Sequence, residues 1–419
     1  MRLIMRTWWL LSFAAAQWNV SGSIHPVTMN RTSDRSSISL PFRIAEFEIG
    51  FSKGDFDLKT SSVVEYRWTG GDAKFDLREA YFIWYPSWGE LKVGKQIHAW
   101  GAVDGNNPTD NLNSYDYYYM FLAGTDRKIG SLSASVKYYW NDWQLEVVVI
   151  PENEPNRYPF DEEDFPIVMA DPGDFLTAGE TIAEYGMRVQ TTMGNSDISI
   201  SYFSGRDRGF TLVGYNYHPL IDPVAPVLTY RKTDEIGIDM VTFIGDLTLR
   251  AEAGFFNTQN DLHTDIETFK DAAYLQFAVQ AEYTTANDIT LMIQLIGNDV
   301  LEVNGSTYTY DETGNPTELV AMNEDEFQQG MGTPFAMFTD LGMFLSATGN
   351  YWDNALEIRG NTFMDFQDSQ KMLGGGVTYS PVENWAIDCS ISKFMGEEGT
   401  HFKEMENFSH LSLGVKYSF

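Results

Sequence analysis

The stretch Ser409-His-Leu-Ser-Leu-Gly-Val-Lys-Tyr-Ser-Phe419 sets Leu411, Leu413, Val415, Tyr417 and Phe419 on one parity. His410, Ser412, Gly414, Lys416 and Ser418 fall on the other. Successive side chains of a strand point to opposite faces, so this is a strand with one apolar and one polar face. The same alternation recurs upstream. In 246–255, Leu247, Leu249, Ala251, Ala253 and Phe255 oppose Thr248, Arg250, Glu252 and Gly254. In 273–283, Leu275, Phe277, Val279, Ala281 and Tyr283 oppose Gln276, Gln280 and Glu282. Residues 183–191 and 131–140 repeat it, with Tyr185, Met187 and Val189 against Glu184, Arg188 and Gln190, and Leu132, Val136 and Tyr138 against Ser133, Ser135 and Lys137.

Short and long connections alternate between these segments. Asn141-Asp142, 194–197, Gly245-Asp246, 285–288 and 380–384 are compact turns built from residues that tolerate positive φ or preset a turn. Longer polar loops lie near 100–128, 151–179, 207–228, 258–268, 299–334 and 397–406. Alternating segments with this asymmetry are the signature of an all-β, single transmembrane antiparallel β-barrel, with short turns periplasmic and long loops outside. The strands expected are 54–68, 73–85, 89–99, 129–141, 142–150, 180–193, 196–206, 229–244, 247–257, 269–284, 288–298, 333–347, 353–365, 369–380, 384–396 and 407–419. That makes about sixteen. Residues 42–51 also alternate and would be a seventeenth, which breaks the even count that a single-chain bacterial barrel needs. That segment merges with the first strand, lies inside or beneath the barrel, or signals another strand, and eighteen is the second choice.

Composition agrees. Hydrophobic residues make up 43% with mean hydropathy −0.27, yet aromatics reach 15%, as suits an apolar outer face, a polar lumen and aromatic rims. The single Cys389 excludes an intramolecular disulfide framework. A net charge of −31 excludes nucleic acid as a natural partner. The acidic residues concentrate in loops, notably 161–164 with Asp171 and Asp174, and 324–326, and are expected to be solvated runs without a metal site, with divalent-cation bridges to lipopolysaccharide phosphates or to other loops the lesser alternative. Residues 1–16, with Arg2, Arg6 and the apolar run 8–16, read as a secretory signal peptide too short to span a membrane. Cleavage falls before Gln17, or as late as residue 23. Residues 17–53 then form an N-terminal segment, an extra strand or a lumen element, and 54–419 the barrel.

The strand ending on Phe419 resembles the last strand of Gram-negative outer-membrane barrels. That resemblance implies that Tyr417 and Phe419 belong to the signal read by the barrel-assembly machinery. A second block comprises Leu77-Arg-Glu, Gly94-Lys-Gln96, Trp100-Gly101, Asp104, Asp110 and Asn113-x-x-Asp116. It resembles an uncharacterised family of porin-like Gram-negative barrels, with Lys95 where that family has Arg and Ser114 where it has Pro. The resemblance covers 77–116 and implies an outer-membrane location without naming a solute. The Asn/Asp-rich loop satisfies its own backbone through local turns and is expected to fold inward over 101–128, with Asp104, Asn106, Asn107, Asp110, Asn113 and Asp116 narrowing the channel.

The lumen-lining set expected from parity is Lys92, Lys137, Glu184, Arg188, Arg250, Glu252, Gln280, Glu282, Glu357, Arg359, Asp388 and Lys416. Its mixed sign gives no clear ion preference. The function expected is a porin-like channel for passive diffusion of small solutes, multi-pass in the outer membrane, with lipid and lipopolysaccharide around it and no cofactor. A non-transporting anchor or adhesin is the alternative, and a route for apolar molecules the third. A homo-oligomer fits the class, though no interface is legible. An enzyme is disfavoured: the six His occupy no nucleophile or zinc-ligand setting, and no phosphate-loop lysine follows the glycine runs.

Overall fold

The computed structural model describes residues 17–419 apart from 168, 178, 180, 181, 218–223 and 311–315. The expected signal peptide lies outside the described residues.

The alternating segments pair as antiparallel neighbours from one end of the chain to the other. β1 is Gln17–Ile24, continued beyond His25-Pro26 by Val27–Arg31; β2 is Phe42–Lys53, β3 Phe56–Tyr66, β4 Ala73–Trp84, β5 Gly89–Gln96 and β6 Ser131–Trp140. There follow β7 (Trp143–Ile150), β8 (Glu184–Met193), β9 (Ser196–Arg206), β10 (Lys232–Ile244), β11 (Leu247–Gln259) and β12 (Phe269–Thr284). The rest are β13 (Ile289–Tyr310), β14 (Leu341–Tyr351), β15 (Leu356–Asp365), β16 (Lys371–Val382), β17 (Trp385–Met395) and β18 (His410–Ser418). β18 returns to β1 through Ser23↔Ser418 and Ile24↔Tyr417, then through Val27–Arg31 against Gly414–His410. The sheet is thus a closed barrel of eighteen strands, which satisfies every strand edge without a disulfide.

This corrects the expected sixteen to eighteen. Residues 42–51 do not merge with the next strand or lie beneath the barrel: they are the body of β2. The strand missed is β1, whose residues 17–24 pair in continuous register with 45–52. Its alternation is short and is interrupted by Pro26, which has no N–H to give the ladder. Two expected boundaries also move. The segment begun at 333 starts as a 3-10 turn over Pro334–Met337, so β14 opens only at Leu341, while β13 runs on to Tyr310 and pairs outside the barrel with Pro316–Ala321.

At the compact turns, Asn141, Gly194, Gly245, Asp288 and Asn384 adopt φ of 51°, 64°, 61°, 58° and 70°, the left-handed values tight hairpins require. Trp140, Trp143 and Trp385 are exposed beside these turns, and Trp84, Trp88 and Trp352 beside the turns at 85–88 and 352–355, an aromatic girdle at one rim. Leu411, Leu413 and Val415 are exposed on the outer face while His410, Ser412 and Gly414 are buried, the parity read from the last strand. The apolar core lies inside the barrel at its other end. There Ile38 and Leu40, Met120, Phe165, Phe335 and Phe338, and Phe402, Met405 and Phe408, from five different loops, form one buried cluster with Phe363 and Phe394 of the wall.

Candidate functional site

The loop between β5 and β6, residues 97–130, crosses the lumen. Its far leg reaches inward-facing side chains of β10 to β13. Ala102 N–H and Val103 N–H donate to Glu252 Oε1, the latter at 2.6 Å, and Thr109 Oγ1 donates to Glu252 Oε2 at 3.0 Å. Asp104 N–H donates to Gln280 Oε1 (2.9 Å), Asn106 Nδ2 to Gln294 Oε1 (2.8 Å) and Asn111 Nδ2 to Glu235 Oε2 (2.9 Å). Arg250 reaches the Asp104 carboxylate at 2.5 Å. Glu252 sits on β11, six strands round a barrel of eighteen from the root of the loop on β5, so these bonds span about a third of the circumference.

The near leg is tied by side chains of the loop itself. Asn113 uses its whole amide: Oδ1 accepts from His98 N–H (2.6 Å), while Nδ2 donates to Gln96 O, Ile129 O and Ser131 Oγ. Asp110 Oδ1 accepts from Trp100 N–H at 3.1 Å, and its Oδ2 meets Lys128 Nζ at 2.5 Å, both residues fully enclosed. Burial pushes the Lys128 ammonium down, and Asp110 opposes it. Asp116 caps the short turn Tyr117–Tyr119 through Tyr118 N–H and meets Arg157 at 3.0 Å. Burial raises the Asp116 carboxyl, with Arg157 and Arg43 pulling the other way. All six residues expected at the constriction therefore shape this loop, but only Asp104 is markedly open to the lumen, with 64% of its side chain exposed. Asn106, Asp110, Asn113 and Asp116 are buried, and Asn107 donates to Val103 O and Glu252.

The twelve residues assigned to the lumen occupy inward parity. Most are already paired: Arg188 with Asp239 (2.9 Å), Glu184 with Arg208 (2.8 Å), Lys92 with Glu90, Lys137 with Glu146, Arg359 with Glu357, and Glu282 with Arg250 at 3.8 Å. Asp388 holds His25 at 2.6 Å across Gly414, where a Cβ would lie 2.6 Å from the imidazole. Lys416 has no carboxylate within ion-pair reach among the described residues. Gln280 donates to Asp104 at 2.7 Å. At the rim, the Tyr417 ring lies 5.0 Å from Trp385 and the Phe419 ring 6.2 Å from Phe47.

Sequence reasoning missed a second inward loop, whose course is seen over residues 156–165. Arg157 exchanges backbone bonds with Tyr115 and Tyr117 and grips Glu65 of β3 at 2.8 and 2.9 Å. The acidic run expected to be solvated is partly ion-paired instead. Glu162 meets Arg67 (3.0 Å from Nη1), and Asp164 meets Arg31 (2.5 Å) and Ser39 N–H. Burial would raise both carboxyls, but these donors hold them below the usual range. The available signal was the pair of Arg residues at strand ends, Arg31 and Arg67, which parity alone does not connect to a loop. Among the described residues no group of three or more His, Cys, Asp or Glu is placed to hold a metal ion.

His98 Nε2 lies 3.0 Å from Ser133 Oγ. Both are buried, no carboxylate meets the other ring nitrogen among the described residues, and burial holds the imidazole neutral, down to about 3. That pair lacks the access and the orienting acid of a nucleophile.

No family model and no curated protein matches the chain. Solved structures do. OccK2 (OpdF) of Pseudomonas aeruginosa is similar at 10% identity over 96% of this chain and 97% of that one, with a TM-score of 0.53. OccAB3 of Acinetobacter baumannii gives 10% identity over 97% and 99%, with a TM-score of 0.52. OccK5 (OpdH) of Pseudomonas aeruginosa gives 13% over 96% and 98%, at 0.50. At such identities the likeness establishes the fold alone, a closed antiparallel β-barrel.

Proposed function

We propose that this chain is an outer-membrane channel through which small solutes diffuse passively, narrowed by loop 97–130. The observation that carries the reading is the loop's anchorage on the inner wall from β10 to β13. A barrel of eighteen strands is wide enough for an aqueous lumen, and a loop bonded across it turns a wide pore into a narrow one. The lining is polar and its charges are largely paired within the wall, which suits small hydrophilic solutes of either sign. The surrounding membrane lipid and the assembly role of Tyr417 and Phe419 belong to the same proposal. Single-channel recording in a planar bilayer tests it. The intact protein should show stable steps, and a variant lacking 104–118 larger ones. Silence in both, with folding intact, favours an anchor or adhesin.

A second reading is favoured by one further observation. Phe121 and Leu122, on the same loop, are 40% and 44% exposed, and the Phe121 ring lies 5.9 Å from Phe394 of β17. Together with the loop cluster at the long-loop end, this gives an apolar solute a surface to follow. Uptake of an apolar dye by liposomes carrying the protein separates the two readings.

A further inference from the structure

We infer that Glu252 is the positioning residue of the constriction: a carboxylate latch that holds loop 97–130 inward and makes the pore width depend on pH. The inference rests on the channel reading above.

Four groups converge on this side chain. Oε1 accepts from Ala102 N–H, from Val103 N–H at 2.6 Å and from Asn107 Nδ2 at 3.0 Å, and Oε2 from Thr109 Oγ1 at 3.0 Å. All four are donors, and all come from residues 102–109. An ionised carboxylate is acceptor-only and satisfies them together, whereas a protonated one must aim its own O–H into a ring of donors. Glu252 is buried, so that mismatch is not relieved by solvent. Gly101 permits the approach. Its φ is +91°, and a Cβ there would lie 2.5 Å from Oε1.

The charges around Glu252 are otherwise engaged. Asp239, directly opposite on β10, is held by Arg188 at 2.9 Å and by Ser199 Oγ. Glu235, also on β10, accepts from Asn111 at 2.9 Å. Arg250, two residues before Glu252 on β11, is taken by Asp104 at 2.5 Å and faces Glu282 of β12 at 3.8 Å. Within the loop, Asp110 is paired with Lys128 at 2.5 Å. Glu252 therefore has no cation of its own among the described residues, and its charge is balanced by the loop's donors alone. At neutral pH the latch is shut. Acidification removes the charge that the donors bind and releases residues 102–109, and the pore widens.

Two measurements test this. In bilayers, unit conductance of the parent should rise between pH 7.5 and pH 4, while E252Q should be wide and flat across the range; E252D, which keeps the charge, should keep a pH step. Independently, V103C in a C389S background reports loop exposure through maleimide labelling at one fixed pH. With Glu252 present labelling should be slow, and E252Q should speed it about tenfold, as expected for loss of a charged acceptor's bonds. Heat-modifiable gel mobility confirms folding of each variant. Equal labelling rates and identical pH profiles for parent and E252Q overturn the inference. Absent conductance with a tenfold labelling difference overturns the channel reading and leaves the latch standing.

Discussion

Asp110 and Lys128 face each other at 2.5 Å across the two legs of the inward loop, with side chains 8% and 3% exposed. They are eighteen residues apart in sequence, and their contact makes the loop a closed ring before it touches the far wall. Removing one partner strands the other as a buried charge, which costs about 3–5 kcal/mol. Asp110→Asn should therefore lower the thermal midpoint in detergent and destabilise the protein more than Asp110→Asn combined with Lys128→Met. Equal midpoints for the single and double variants would contradict this.

Gly101→Ala combines two penalties. Position 101 has φ +91°, which costs an L-residue roughly 1–3 kcal/mol, and its Cβ would collide with Glu252. The loop should be pushed off the wall while the strand ladder of the barrel stays intact. The expected outcome is larger unit conductance with an unchanged circular dichroism spectrum.

The last strand offers a test of parity. Leu413 is exposed on the outer face, and Lys416 points inward. A charge at mid-depth on the lipid face costs about 2–4 kcal/mol. Leu413→Arg should therefore reduce the folded yield in lipid vesicles far more than Lys416→Glu, and similar yields for the two would reverse the assignment.

The second inward loop should respond to acid. The carboxyls of Glu162 and Asp164 lie below the usual range because Arg67, Tyr118, Arg31 and the Ser39 amide donate to them against the effect of burial. A depressed folded-state value means the stabilisation is complete above the ordinary carboxylate range and fades as pH falls through it, near pH 4. Protection of residues 157–165 against hydrogen exchange, corrected for intrinsic rate, should drop below that pH. Arg67→Met should lower it already at neutral pH.

Most of the wall was legible because its signal is local. A period of two over ten residues, as in Leu247–Phe255, identifies a strand and both its faces. β1 escaped because Gly22 and His25-Pro26 interrupt its alternation, and because it adjoins the apolar run read as a leader. The inward course of 97–130 was legible from its Asn and Asp residues. Its anchors were not: parity says that Glu252, Gln280 and Gln294 face the lumen, but not that they accept bonds from residues more than a hundred positions earlier. Nor does an acidic run such as 161–164 show whether arginines from distant strand ends will meet it.

The break at His25-Pro26 bears on how the barrel comes into being. Before it, β1 is laddered to β2 over eight residue pairs, with Ser23 and Ile24 also facing β18; beyond it, the ladder continues along β18. Seventeen of the eighteen strand contacts join neighbours in sequence, whereas the eighteenth joins segments nearly four hundred residues apart. Chain-closure entropy makes such a contact the slowest to form. The sheet should therefore grow hairpin by hairpin as an open ribbon and zip shut last along a seam that one strand shares between two partners. Variants at Ser23, Ile24 or Val27 would then slow the final step of assembly while leaving the earlier hairpins untouched.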